Sequence, residues 1–254
     1  MENKVVIVTG AGNGIGAATA KIYAANGFKV GVLDVKETDA LKVVGEIIAN
    51  GGTALAVTCD VGIKESVEAA VALVESTYGD IGTVVNNAGV GGPFHRVDEV
   101  EDDEWDWVVR TNQKSVFMFS RILLPKMQKA GFGRIVNVAS IQGFLGSPYS
   151  STYVATKHAV IGYTRTIAAE WGQYGITCNA VCPGYVMTAM GARDDELDDY
   201  TKKVMAKSPV KILAKPEDIG NLIYYITGEH GQYINGSIIN IDGGITAHVG
   251  IMEV

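Results

Sequence analysis

Tyr153 and Lys157 stand one helical turn apart in the run Tyr-Val-Ala-Thr-Lys, and Ser140 lies thirteen residues upstream of the tyrosine. A helix carries residues i and i+4 on one face, so the phenol and the ammonium are expected to point into one site. A phenol titrates near pH 10, and a cation held beside it favours the phenolate. The expected product is a phenol that gives and takes a proton near neutrality. Of the eleven tyrosines, only Tyr153 has a lysine four residues on. Taken alone, such a pair is an ordinary surface feature of a helix. Its weight comes from the elements that precede it.

Those elements begin with a β-branched run over residues 4–9, KVVIVT, which breaks into Gly10-Ala11-Gly12-Asn13-Gly14-Ile15-Gly16. A helical stripe of Ile15, Ala18, Ile22 and Tyr23 follows. Strand, glycine turn and helix together form the context of a phosphate-binding loop. The glycines let backbone approach a pyrophosphate, and the helix N-terminus offers free N–H groups and partial positive charge. A G-x-G-x-x-A pattern is present at Gly12, Gly14 and Ala17, but Thr9, Gly10, Gly14 and Gly16 make the better register. The second strand, 29–33, ends in Asp34, 24 residues after Gly10. A carboxylate there accepts hydrogen bonds from adenosine ribose hydroxyls and repels a 2′-phosphate, so NAD(H) is expected over NADP(H). Lys36 is a nearby cation that opposes this preference.

Further along, helices are expected over 37–50, 64–78, 102–129, 153–173 and 216–227, and strands over 54–59, 83–85, 134–138, 177–181 and 237–241. Asn112 interrupts the third helix. Asparagine is a poor helix-interior residue, which points to a backbone irregularity or a buried polar role. Alternating strands and helices give an α/β fold with a mostly parallel sheet. Gly10, Asp34, Asp60, Asn87, Ser140 and Pro183 all follow strand carboxyl ends, where ligands bind in open sheets of this kind.

Composition narrows the partners. The net charge is −7, and no run of Lys/Arg occurs, which speaks against a nucleic-acid surface. No stretch of eighteen apolar residues occurs, so no membrane span is expected. The N-terminus lacks a signal-peptide shape, and a cytoplasmic protein is expected. Cys59, Cys178 and Cys182 form no metal-ligand pattern. Four residues of strand separate the last two by roughly 13 Å, beyond disulfide reach, so all three are read as small buried residues and no metal is expected. One domain spanning 1–254 is expected.

In order and at this spacing the motifs closely resemble the short-chain dehydrogenase/reductase family. The resemblance runs from Thr9 to Gly244 and rests on Thr9-Gly10, Gly14, Gly16, Asp60, Asn86-Asn87-Ala88-Gly89, Asn112, Ser140, Tyr153 with Lys157, and Pro183-Gly184 with Thr188. It implies a seven-stranded, doubly wound Rossmann-type domain, usually in a homotetramer. It also implies roles: Tyr153 as proton donor and acceptor, Lys157 as the group that lowers its pKa and binds the nicotinamide ribose, Ser140 as the hydrogen bond to the substrate oxygen, and Asn112 as holder of a proton-relaying water. Gly10, Asn13, Gly14, Ile15, Gly16, Asp34, Asp60, Val61, Asn87, Pro183, Gly184, Val186 and Thr188 would hold the dinucleotide.

The implied reaction is reversible oxidation of a secondary alcohol. Pocket residues are expected from 91–94, 141–143, 148–149, Tyr185 and a lid at 188–214. The lid's acids, Asp194, Asp195, Glu196, Asp198 and Asp199, are read as a solvated face. Gln142, two residues after Ser140, resembles the arrangement in family members acting on small vicinal diols and hydroxyketones. Cyclic alcohols, polyols and hydroxysteroids are further candidates. His95, His158, His230 and His248 receive no catalytic role. The apolar tail after Gly244 is expected to pack on a neighbouring subunit. Two rival readings are an NADPH-dependent 3-oxoacyl-type reductase and a non-catalytic dinucleotide-binding regulator. Asp34 opposes the first, as does the lack of Arg or Lys at Gly12, Asn13 and Val35. The full set of Asn112, Ser140, Tyr153 and Lys157 opposes the second.

Overall fold

Runs of Val and Ile with few polar interruptions read as strands buried on both faces. The computed structural model, which describes residues 4–188 and 199–247, bears this out for the five inner strands and leaves the two edge strands partly exposed. The strands are β1 (Val5–Thr9), β2 (Lys29–Asp34), β3 (Thr53–Thr58), β4 (Thr83–Asn86), β5 (Gly133–Val138), β6 (Ile176–Pro183) and β7 (Ile238–Ile241). They form one seven-stranded sheet in the order β3-β2-β1-β4-β5-β6-β7. Every neighbouring pair is parallel. The order reverses between β1 and β4, which opens a crevice at the carboxyl ends of those strands.

Side-chain alternation divides the core in two. Val5 and Ile7 of β1 face a cluster with Val67, Val71 and Val74 of α3 (Lys64–Tyr78) and with Phe119 and Leu123 of α5 (Ser115–Ala130). Val6 and Val8 face the other side, against Ala20 and Tyr23 of α1 (Gly14–Ala25), Val43 and Ile47 of α2 (Glu37–Ala49), and Ile219 and Ile223 of α8 (Pro216–Thr227). Each fully buried Val or Ile contributes about 1.5–3 kcal/mol. Ile7→Ala would therefore loosen one layer by about 2–5 kcal/mol.

The helix expected over 102–129 is three pieces: α4 (Asp102–Val109), a π-helical turn at Arg110–Lys114, and α5. The irregularity expected at Asn112 is present, and its cause is visible. Asn112 is buried, its Oδ1 accepts from Val90 N–H at 2.8 Å, and its Nδ2 donates to the Val90 carbonyl at 2.9 Å. The asparagine amide thus pairs with loop backbone as a strand would. α6 (Ser151–Trp171) carries Tyr153 and Lys157. Strand bounds lie within two residues of expectation: β3 starts and ends one residue earlier, and β6 runs through Pro183, so that proline closes the strand rather than following it.

Of the expected lid at 188–214, residues 189–198 lie outside the described residues, and with them Asp194, Asp195, Glu196 and Asp198. Its remainder includes α7 (Asp199–Lys207). The root of the insertion is tied by a parallel bridge between Val186 and Ala214, with Met187 N–H donating to the Ala214 carbonyl at 2.9 Å. Most of the tail, with His248, also lies outside the described residues. Cys59, Cys178 and Cys182 are buried free thiols, as their separation predicts.

Candidate active site

The glycine turn is built around one tight approach. A Cβ on Gly16 would lie 2.2 Å from the Gly10 carbonyl oxygen, so no other residue fits there without moving the turn. Thr9 and Asn87 hold the turn to β4. Thr9 Oγ1 accepts from the N–H groups of Asn87 and Ala88 at 2.9 and 3.0 Å. Asn87 Nδ2 donates to the carbonyls of Thr9 and Gly10 at 2.9 and 3.1 Å. The loop runs into the N-terminus of α1, where Asn13 makes no side-chain cap and the first turn carries no acid. Unclaimed N–H groups and partial positive charge at that end suit an anion.

At the end of β2 the Asp34 carboxylate is buried, and its two oxygens accept from Gly12 N–H at 2.9 Å and Lys36 N–H at 3.0 Å. It is thereby fixed at the rim, with its charge facing the cleft it lines. Asp60 Oδ1 is likewise held, accepting from Gly62 N–H at 2.8 Å.

These groups line one cleft of about 630 Å³ at the carboxyl ends of the strands. Of the residues expected to hold a dinucleotide, Gly10, Asn13, Gly14, Ile15, Asp34, Asp60, Val61, Asn87, Pro183, Gly184, Val186 and Thr188 line it. Gly16 sits one layer behind, under Asn87. Ser140, Gln142, Tyr153 and Lys157 line it too. The structure thus gathers 16 of the 18 predicted residues at one surface, with Gly16 packed against Asn87 and Asn112 bonded to Val90, both of which line it.

At the opposite end, Tyr153 and Ser140 line the cleft together, and Ser140 Oγ accepts from Gln142 N–H at 3.1 Å. Lys157 is buried. Its Nζ donates to the Val138 carbonyl at 2.8 Å and lies 5.4 Å from the centroid of the Tyr153 ring. Asn112 reaches the same place from behind: a Cβ on Gly89 would lie 3.3 Å from Asn112 Oδ1 and 3.7 Å from Lys157 Nζ. Asn112 Nδ2 also donates to Thr156 Oγ1 at 3.4 Å, on the turn between Tyr153 and Lys157.

One expectation is corrected. Sequence spacing predicts a phenol lowered by its lysine. Burial holds the Tyr153 phenol above its usual value, and the nearby Ser140 side chain only partly offsets that. Burial also pushes Lys157 down to about 8. The ammonium lies over the ring and donates to a main-chain carbonyl, and burial, which penalises the charged form of each group, is the first cause of both shifts.

The wall on the substrate side differs from expectation in part. Gly91, Phe94, Ile141, Gln142 and Tyr185 line the cleft, whereas Gly92, Pro93, Gly143, Pro148 and Tyr149 do not. Tyr149 instead turns the loop into α6 through a left-handed backbone, φ 63°. Trp107, Thr111 and Ser150 also line the cleft and were not foreseen. Trp107 and Thr111 are four apart, so helical spacing was a usable signal, but only once the neighbouring loop was known to pass that face.

The chain resembles known proteins over nearly its whole length. The family model described as enoyl-(acyl carrier protein) reductase matches residues 10–246. A cyclohexanol dehydrogenase of Acinetobacter sp. (strain SE19) is 36% identical over 246 residues, covering 97% of this chain and 96% of that protein. The crystal structure of levodione reductase superposes with a TM-score of 0.93 at 32% identity, covering 97% of this chain and 98% of the other. A 3-oxoacyl-[acyl-carrier protein] reductase with bound NAD from Brucella melitensis superposes with a TM-score of 0.87 at 33% identity, over 96% of this chain and 91% of that one.

Proposed function

The chain belongs to the short-chain dehydrogenase/reductase family, and on that premise we propose that it is an NAD-dependent secondary-alcohol dehydrogenase and ketone reductase. The observation that carries this is the meeting of Tyr153, Ser140 and Lys157 at one end of a cleft whose other end is the Gly10–Gly16 turn and Asp34. Bound there, a nicotinamide dinucleotide would supply the hydride acceptor or donor.

The residues then divide the remaining work. Ser140 holds the substrate oxygen and steadies the charge that grows on it. Tyr153 takes the hydroxyl proton as the alcohol is oxidised and returns it in ketone reduction. Lys157 holds the nicotinamide ribose and, charged, favours the phenolate. Asn112 fixes the π turn behind them and completes a relay of protons to solvent. The N-terminus of α1 and the glycine turn receive the pyrophosphate, while Asp34 accepts from the adenosine ribose. Val61, Asn87, Val186 and Thr188 line the remainder.

NAD(H) is favoured because the Asp34 charge faces the place a 2′-phosphate would occupy. The relative whose structure holds NAD supports the same choice. It also shows that a 3-oxoacyl-type reductase can take this cofactor, so that rival differs from the present reading in substrate rather than fold. Candidate substrates are small diols or hydroxyketones, cyclic alcohols and hydroxysteroids. We read the protein as a single domain over 1–254 with a lid at 188–214, cytoplasmic, and a homotetramer, which sedimentation would test.

The direct test is cofactor-linked absorbance with a panel of secondary alcohols and ketones, using NAD(H) and NADP(H) in parallel. NAD-linked turnover of one chemical class is the expected result. Turnover with NADPH alone would overturn the reading of Asp34. Tight NADH binding with no turnover across the panel would favour a binding protein.

A further inference from the structure

The substrate wall from Val90 to Phe94 hangs between two anchors of different chemistry. At its start, Asn112 pairs with the N–H and carbonyl of Val90 at 2.8 and 2.9 Å. Gly92 packs so closely on α4 that a Cβ there would lie 2.9 Å from Val108 Cγ2. Neither contact titrates. At its end, the His95 backbone bridges to Ser150, and the His95 ring meets Glu104 Oε2 of α4 through Nδ1 at 3.2 Å. Ser150 immediately precedes α6, the helix of Tyr153. Tyr149 before it is left-handed, a conformation that a bulky residue keeps only where its surroundings hold it. His95 thus joins the wall to α4 and to the start of α6 at once.

Glu104 is fixed for that contact. As the third residue of α4, it accepts from Glu101 N–H at 3.1 Å through the same oxygen, the hydrogen bond of a capping box. The other charges around the ring are engaged elsewhere or acidic. On its own loop, Arg96 Nε donates to Asp98 at 3.2 Å, and Glu99 Oε2 accepts from Arg96 N–H at 3.2 Å. Glu101, Asp102 and Asp103 add negative charge where α4 begins. Across the bridge, residues 145–152 carry Tyr149 as their titratable group. From α6 come Tyr153 and Lys157, which line the cleft, and His158, whose ring is bonded to the Val154 carbonyl at 2.9 Å. Histidine changes charge between pH 5 and 8. Charged, the His95 ring pairs with the Glu104 carboxylate; neutral, it keeps at most a hydrogen bond.

We propose that His95 and Glu104 form a proton-operated latch on the substrate wall: the charged pair holds Phe94 over the cleft and favours ring-shaped substrates, and loss of the proton loosens the wall. The two residues position the wall and take no part in proton transfer. The latch itself stands on these contacts, while its effect on turnover rests on the oxidoreductase reading above.

Hydrogen exchange over residues 91–96, corrected for the intrinsic effect of pH, tests the latch without turnover. It should speed up by about two- to fivefold from pH 6 to pH 8 in the wild type, the worth of a half-exposed ion pair. Glu104→Gln removes the charge but keeps an oxygen for both hydrogen bonds, since Gln serves a capping box as Glu does. In that variant exchange should be as fast at pH 6 as at pH 8. Turnover should follow the same course. Across that range, kcat/KM for cyclohexanol relative to propan-2-ol should fall by about two- to fivefold in the wild type, through KM, and stay level in the variant. Both alcohols need the same proton transfer, so Lys157, pushed down to about 8, cancels in the ratio.

Wild-type exchange that ignores pH would overturn the proposal, and so would an equal pH response in Glu104→Gln. Exchange that follows pH beside a constant cyclohexanol ratio would overturn the substrate half. A fall in kcat for both alcohols in the variant, with the ratio unmoved, would make Glu104 a general support for the fold instead. If Glu104→Gln does not fold, His95→Gln takes its place: it keeps a hydrogen-bonding amide, cannot titrate, and should show the same level exchange. If no alcohol is turned over, the oxidoreductase reading fails, and hydrogen exchange alone decides the latch.

Discussion

The two ends of the cleft are held in different ways. At the dinucleotide end, recognition is carried by backbone: a glycine turn fixed by Thr9 and Asn87, a helix N-terminus, and a carboxylate pinned by two N–H groups. At the substrate end, it is carried by side chains on loops. Phe94 is 76% exposed, and its loop is tied down through a bridge between His95 and Ser150. A ligand common to many proteins can be met by backbone geometry, which demands fixed residue types at fixed spacing. A ligand particular to one protein is met by loop side chains, which are free to vary.

Tyr153 joins the two ends, so its loss should have the largest effect. On the proposed reading, Tyr153→Phe removes the proton carrier and leaves the ring. We expect kcat to fall by about 10²–10⁴-fold, the usual worth of a positioned acid–base group. NADH affinity, measured by fluorescence titration, should change little. Loss of NADH binding together with turnover would show that the two ends are not separable in this way.

The next effect belongs to the dinucleotide end alone. On the proposed reading, Asp34→Ala removes a charge that would repel a 2′-phosphate and an acceptor for ribose hydroxyls. The ratio of kcat/KM for NAD to that for NADP should fall by about ten- to a hundredfold, equivalent to roughly 1.4–2.8 kcal/mol. The relative rates across alcohols should stay as they were. A fixed cofactor ratio would mean that Lys36 already neutralises this rim.

How legible each end was in the sequence follows from the same contrast. Gly16 and Asp34 could be read from the sequence because the turn and the strand end tolerate few other residues. Asn112 could be read as an irregularity, but its partner Val90 is 22 residues away, and local propensity does not report such a contact. Trp107 and Thr111 were missed because their helix faces the cleft only through tertiary packing. The direction of the Tyr153 shift was missed for a related reason. Spacing puts a cation one turn away, but burial, which decides the sign here, is a property of the folded chain. Ser140, Tyr153 and Lys157, which the fold brings to one cleft, were singled out by motif order, to which the spacing of Tyr153 and Lys157 adds little alone.

Burial of Lys157 gives a smaller and pH-dependent prediction. In the folded chain burial pushes its ammonium down to about 8, from an ordinary 10.5. Between those values the unfolded chain holds more protons, so stability rises with pH across that window. The cost of burying the charge is full below about pH 8 and fades towards 10.5. Lys157→Met removes that cost, so the variant's gain in stability should be largest near pH 7, at most about 3 kcal/mol. It should shrink steadily by pH 9.5 in urea unfolding. Tyr153, whose shift runs the other way, loses stability only as pH rises above 10, so it does not disturb the comparison up to pH 9.5. A pH-independent difference would show that the ammonium is compensated in the folded state.

Phe94 tests whether loop side chains at the substrate end act on substrate alone. With 76% of its surface exposed, Phe94 contributes little to the core, so Phe94→Ala should change stability by no more than about 0.5 kcal/mol. Its ring still covers one wall of the cleft, and an apolar wall strengthens binding of a hydrocarbon frame without touching proton transfer. KM for a cyclic alcohol should rise by a few-fold, under about 1 kcal/mol, with kcat and the NAD affinity near wild type. A fall in kcat would mean that the ring shields the Tyr153 proton from water. A weakened NAD affinity would mean that the loop closes over the dinucleotide as well, and the two ends could no longer be treated as separate.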